Sequence, residues 1–176
     1  YNWQYQDDTR SIVINKVSNG NVTYFVADVQ LADVSAFRTE LDSSLATVST
    51  LASRSGAVLA INGDDYATHK YGVIVRNGEL LRTHDTTRNL LLVDANGNMS
   101  VRVNRSGEDY KGLGQQLVND SAWQTFEFGP ALVENGQALA FSSSFDVIST
   151  RSSRLEPRTA IGQIGPLHYI VIVVDG

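Results

Sequence analysis

Two apolar runs of this chain end in acid. Ala57-Val58-Leu59-Ala60-Ile61 passes straight into Asn62-Gly63-Asp64-Asp65-Tyr66, and Leu167 to Val174 ends in Asp175-Gly176. Between them, Pro157-Arg158-Thr159-Ala160-Ile161-Gly162 places an arginine and a threonine at the start of another strand-like run. If the three meet in one concave surface, a pocket would hold carboxylates, an amide and a guanidinium. Paired carboxylates are the usual means of cleaving a glycosidic bond. A guanidinium fork pairs with two oxygens of a phosphate at once. Arg158 follows a proline and opens a strand, where packing alone has little use for an arginine. Together these types suit a sugar joined to phosphate. Such a bond releases a phosphate monoester anion, so acid assistance matters less than stabilising the sugar cation and the departing charge.

On this reading Asp175 is the first candidate carboxylate and Asp64 the second. Arg158 holds the phosphate, Thr159 adds a hydroxyl to it, and Tyr66 is placed to face a sugar. Each acid also has a purely structural use. Asp175 could cap a turn, and Asp64 could pair with Arg76 or Lys70. Asp64-Asp65 could hold a hard cation, although the spacing of a calcium loop is missing. His69, His84 and His168 are not spaced as metal ligands, and no cofactor is expected.

Elements must bring these residues together. An unbroken apolar run such as Ala57–Ile61 predicts a strand buried on both faces, stopped by Asn62-Gly63. The end of the chain, Leu167 to Val174, predicts a central strand. Residues 11–17 and 22–29 read as strands joined by a hairpin turn at Ser18-Asn19-Gly20-Asn21. Short helices are expected over 36–41 and 46–53, the latter stopped by Gly56. Strands are expected over 72–76, 79–82, 89–93 and 99–103, with turns at Asn77-Gly78 and 94–98. A loop follows over 108–113, then a helix over 117–123 and a strand over 126–133 broken at Gly129-Pro130. Ser142 to Arg154, rich in Ser and Thr, reads as an exposed connector or a lid. The predicted fold is α+β, a strand-rich and mainly antiparallel sheet with a few short helices, in a single domain spanning 1–176.

Composition narrows the function. The chain has 176 residues, 42% of them hydrophobic, which suffices for one buried core. A net charge of −5 with dispersed Lys and Arg argues against nucleic acid as a partner. Cysteine is absent, which excludes disulfides and thiolate metal sites.

The motifs Asn62-Gly63-Asp64-Asp65-Tyr66, Phe128-Gly129-Pro130-Ala131-Leu132-Val133-Glu134-Asn135-Gly136, Pro157-Arg158-Thr159-Ala160-Ile161-Gly162 and Asp175-Gly176 follow one another in order. In this they resemble the phosphodiester glycosidase family, to which the uncovering enzyme of the mannose 6-phosphate pathway belongs. The likeness is nearest to bacterial members labelled exopolysaccharide biosynthesis proteins. The resemblance implies a hydrolase acting on a sugar-1-phosphodiester, or on a glycan that contains one, outside the cell or in its envelope. It carries Asn62, Gly63, Asp64, Arg158, Thr159 and Asp175 over as site residues, Asn62 with the catalytic set and Gly63 with the substrate-binding set. Asp65 stands where the family has an aromatic residue. In the family the chain continues beyond this Asp-Gly to an Asn-Leu-Asp-Gly-Gly-Gly-Ser-Ser motif, which does not follow here. Residues 1–176 alone are therefore expected to have little activity, with a further segment or another chain completing the site. A non-catalytic carbohydrate- or phosphate-binding module and a structural envelope domain are the competing readings.

Overall fold

The computed structural model describes residues 2–68, 70–84, 86–104, 112–127, 129–140 and 155–175. His69, Asp85, Phe128, Gly176, most of the 108–113 loop and the 142–154 connector lie outside them. The protein is an α+β chain, strand-rich and antiparallel, with two short helices among the described residues. Its contacts fall into two compact units: residues 1–37, 96–99 and 153–176, and residues 38–95 and 100–152.

The first unit is a five-stranded antiparallel sheet in the order β1-β2-β3-β12-β11. Its strands are β1 (Asn2–Gln6), β2 (Arg10–Asn19), β3 (Val22–Leu31), β11 (Arg158–Gly165) and β12 (His168–Val174). The β2–β3 hairpin turns where predicted, closing on Asn19 opposite Val22, with Gly20 at φ 61°. Strand β12 is interior, one strand in from the β11 edge, hydrogen-bonded to β3 on one side and β11 on the other. Its burial alternates more than its composition suggests. Tyr169 and Val171 are buried, but their neighbours on the opposite face are half-buried. Register explains which residues form the packed face. Ile12 lies opposite Val29, Val29 opposite Tyr169, and Ala27 opposite Val171, so all five share one side of the sheet. Phe37 packs edge-on against Tyr169 with ring centroids 5.4 Å apart. The Tyr169 hydroxyl donates to the Gly97 carbonyl at 2.6 Å.

The second unit begins with an irregular stretch. At the end of the first unit's 1–37 segment, a 3-10 turn at Val34–Ala36 capped by Asp33 stands where a helix over 36–41 was expected, and residues 38–41 are irregular. Helix α1 (Val48–Ser55) has Thr47 as N-cap and Gly56 as a left-handed C-cap. Strands β4 (Val73–Arg76) and β5 (Glu79–Thr83) form a hairpin through Asn77 and Gly78, both at positive φ. Strands β6 (Leu90–Asp94), β7 (Met99–Arg102) and β8 (Ala122–Phe126) form a three-stranded sheet in the order β7-β6-β8. Helix α2 (Leu113–Asn119) sits earlier than the predicted 117–123. Ser121 at φ 58° turns the chain out of it, and Trp123 enters β8. Strand β8 accordingly begins before the predicted 126 and ends at Phe126. Val133–Glu134 (β9) and Gln137–Ala138 (β10) make a separate small hairpin. Leu113 and Leu117 of α2 close a core with Val73, Val75, Leu90 and Ala122.

The largest departure is Ala57–Ile61. It is no strand and is largely exposed, with Val58 42% accessible. The doubly buried position belongs instead to β4, whose four residues are all buried. Apolar character alone does not make a strand. A partner must also satisfy its backbone, and β4 has one in β5.

Candidate functional site

The polar segment after Ile61 is built around β4. The Asp64 backbone leaves the residue half-exposed, but its carboxylate is buried: Oδ1 pairs with Arg76 Nη2 at 2.7 Å, both side chains being under 5% accessible. Asp64 Oδ2 accepts the Glu127 amide at 3.0 Å. Arg76, the last residue of β4, also donates to the Thr125 carbonyl and lies over the Phe126 ring at 4.7 Å. Of the two partners open to Asp64 in the sequence, Arg76 is therefore the one engaged. Asp65 is exposed and pairs with Arg88 at 3.0 Å. The Tyr66 carbonyl accepts from both terminal nitrogens of Arg82 at 3.2 Å, and the Arg82 guanidinium lies 5.0 Å from the Tyr66 ring centroid. Asn62 and Gly63 are exposed beside this segment.

The sequence did not mark out the support beneath. The outward amides of β4 and its turn recur at every second residue, and side chains of β8 and its extension accept them. The amide of Asn77 goes to Gln124 Oε1 at 3.0 Å, that of Val75 to Thr125 Oγ1 at 2.8 Å, and that of Val73 to Glu127 Oε1 at 2.6 Å. Polar side chains thus do the work of a backbone ladder. All three are at most 1% accessible. The signal available in the sequence was Gln124-Thr125-Phe126-Glu127, polar residues among large apolar ones in a strand-like stretch.

Glu127 is the most constrained of the three. Thr86 Oγ1 donates to its Oε2 at 3.1 Å. Gly72, at φ 103°, approaches so closely that a Cβ there would lie 2.3 Å from the carboxylate. Burial pushes the Glu127 carboxyl above its usual range. The bonds from Val73 and Thr86 and the charge of Arg88 oppose that shift, and the charge of Asp64 adds to it.

Arg158, Thr159 and Asp175 lie in the first unit, at one end of the β11–β12 pair. Arg158 stands opposite Val174 and Thr159 opposite Val173, so Asp175 follows directly at the Arg158 end. Asp175 Oδ1 accepts the Thr23 amide at 2.8 Å, and the Asp175 amide donates to the Thr23 carbonyl at 3.0 Å. This contact carries the β12–β3 pairing one residue further, and Asp175 remains exposed. Arg158 is partly exposed, with Glu156 at 3.7 Å. The structure thus groups Asn62, Gly63, Asp64 and Tyr66 in one unit, and Arg158, Thr159 and Asp175 in the other. Among the described residues no group of three or more His, Asp or Glu side chains is placed to hold a metal ion.

The family model for phosphodiester glycosidases matches residues 55–176. The chain belongs to the phosphodiester glycosidase family. The matched residues begin within α1 and contain both polar clusters, from Asn62 to Tyr66 and from Arg158 to Asp175, together with Glu127. Strands β1 to β3, which complete the first sheet, precede them. No curated protein matches the chain significantly.

Proposed function

We propose that the protein hydrolyses the bond between a sugar and phosphate in a sugar-1-phosphodiester, in a surface polysaccharide or related glycan of a bacterial envelope. The observation that carries the reading is the family match over 55–176. In this reaction water adds to the anomeric carbon, the C1–O bond breaks, and the phosphate leaves as a monoester. Asp175 is the carboxylate offered to the sugar. Arg158 and Thr159 hold the leaving phosphate; their neighbouring positions at one strand end support that pairing of roles. Asn62 and Tyr66 stand as separate candidates for sugar contact, on a segment of the second unit that Asp64 ties to Arg76.

The test is hydrolysis of N-acetylglucosamine 1-(methyl phosphate) in ¹⁸O-water, followed by ³¹P NMR. The expected products are free sugar carrying the label and unlabelled methyl phosphate. Asp175→Asn should lower kcat/KM by at least about a hundredfold and Arg158→Ala by about tenfold or more. Label in the phosphate would mean attack at phosphorus and would refute the reading.

A second reading, a binding module without turnover, draws on one observation. Both candidate carboxylates already have partners, Asp64 in Arg76 and Asp175 in the Thr23 amide. Binding of the diester with no product over days would favour it.

A further inference from the structure

Asp65 is the acid of the Asn62–Tyr66 segment to which the proposed reaction gives no task. We propose that Asp65 and Arg88 form a positioning pair, whose contact sets the path of the segment carrying Asn62 and Tyr66, the candidates for sugar contact. The inference deepens the hydrolase reading and rests on it for the reaction, while the tether itself is argued from contacts within the second unit.

Three consecutive residues of the segment each meet an arginine, and the three arginines come from different stretches of chain. Arg76, at the end of β4, pairs with the Asp64 carboxylate at 2.7 Å. Arg88, between β5 and β6, donates from Nη1 to Asp65 Oδ1 at 3.0 Å. Arg82 of β5 bonds the Tyr66 carbonyl with both terminal nitrogens at 3.2 Å and lies over its ring. The Asp65 carbonyl is engaged as well, accepting the Thr68 amide at 2.9 Å and the Thr68 hydroxyl at 2.8 Å. The residue that Arg88 holds by its side chain therefore also starts the turn that leads out of the segment. Contacts of this kind, from several elements to successive residues, hold a binding segment in one geometry before substrate arrives.

Arg88 is itself anchored. Its amide donates to Thr86 Oγ1 at 3.1 Å, and that hydroxyl donates to Glu127 Oε2 at 3.1 Å. Thr86 and Glu127 are both buried. The Glu127 amide returns to Asp64 Oδ2 at 3.0 Å, so the contacts form a ring from Asp65 through Arg88, Thr86 and Glu127 back to Asp64. A usual surface ion pair joins two side chains with no fixed base and contributes little. Here the arginine springs from a buried base, so the pair transmits position even where it adds little stability. The Arg88 and Asp65 side chains are 22% and 43% exposed, against under 5% for Arg76 and Asp64. Of the two ion pairs, Asp65–Arg88 is the one that can be cut without stranding a buried charge.

The experiment combines hydrolysis of N-acetylglucosamine 1-(methyl phosphate) by the full chain with thermal unfolding and with NMR hydrogen exchange of the Thr68 amide. Asp65→Ala and Arg88→Ala should each lower kcat/KM by about tenfold, and the double variant by no more than either alone. Their melting midpoints should move by about 3 °C or less. Exchange of the Thr68 amide should quicken by about threefold or more in both. Arg88→Lys, which keeps the charge, should recover part of each effect. Arg54→Ala cuts a comparable exposed pair, Arg54 with Asp42 at 2.8 Å, and should leave every readout unchanged. Unaltered kcat/KM in both single variants, losses that multiply in the double variant, or a midpoint lowered by more than about 8 °C would overturn the proposal. Failure of the two ideas is separable. Quicker Thr68 exchange in both variants of a protein without turnover leaves the tether standing and removes the hydrolase. Turnover with kcat/KM and exchange indifferent to both residues does the reverse.

Discussion

In the five-stranded sheet, Asp175 and Arg158 hang from strands whose backbones pair with each other. In the second unit, Asp64, Arg76 and Glu127 are themselves the internal connections. Similar residue types therefore carry different burdens. At a strand end an acid meets water and can be exchanged with little loss to the fold. Inside the second unit an acid is desolvated, and removing it leaves its partner charged and buried. A motif residue in the sheet can be probed for chemistry directly, whereas one in the second unit must first be separated from its structural task.

The sharpest way to break this contrast is Asp64→Ala. It strands the Arg76 guanidinium and the Glu127 amide together, and should cost about 3–5 kcal/mol in a urea unfolding experiment. Replacing Asp64 and Arg76 together by Leu and Met should recover a good part of that loss, because a buried ion pair is often no better than apolar residues of similar volume. A loss below about 1 kcal/mol for Asp64→Ala would mean that the pair is open to water and that the two regions do not differ in this way.

Glu127→Gln sharpens the same contrast through pH. The Glu127 carboxyl is pushed above its usual 4.5 in the folded protein, chiefly by burial. Between 4.5 and the raised value the folded chain holds a proton that the unfolded chain has released. Stability therefore falls as pH rises through that window. The amide cannot ionise and still offers an oxygen to the Val73 amide. The difference in unfolding free energy between variant and wild type should then shift in favour of the variant as pH rises through the window, and level off above it. A difference that does not vary with pH would show that Glu127 is solvated. Asp64 and Arg88 are the charged groups beside it, and both remain in the variant.

The smallest effect belongs to Asp175→Ala. The exposed Asp175 accepts the amide of the partly exposed Thr23, which can turn to water instead. The expected loss is about 1 kcal/mol or less, measured by the same unfolding experiment. A loss as large as that of Asp64→Ala would place Asp175 among the internal connections and erase the contrast.

Much of the first unit was legible because strand pairing there follows sequence-local rules. Residues 11–17 and 22–29 are together rich in β-branched and aromatic side chains on either side of a glycine-containing turn, and a hairpin of adjacent strands needs little else. Gly56 stops α1 by the same kind of local chemistry, and Asn77-Gly78 sets the β4–β5 turn. The family, too, was legible, because its motifs are short and ordered. The error at Ala57–Ile61 has a different origin. Periodicity reports which residues avoid water, but not which of two apolar runs obtains a partner strand. The same limit applied to 117–123, where a helix was expected but α2 begins at Leu113 and ends at Asn119.

The sequence by itself determined the antiparallel hairpins, the capped helix, the family and the residues worth suspecting. Each depends on side chains within a few positions of one another, or on a motif that survives being read in a line. Tertiary structure alone decided that β4 is the doubly buried strand, that Arg76 rather than Lys70 holds Asp64, and that Gln124, Thr125 and Glu127 accept the amides of residues 77, 75 and 73. Those contacts join residues far apart in the chain. A buried amide must be satisfied by whatever acceptor the packing brings to it, and local sequence carries no record of which that will be.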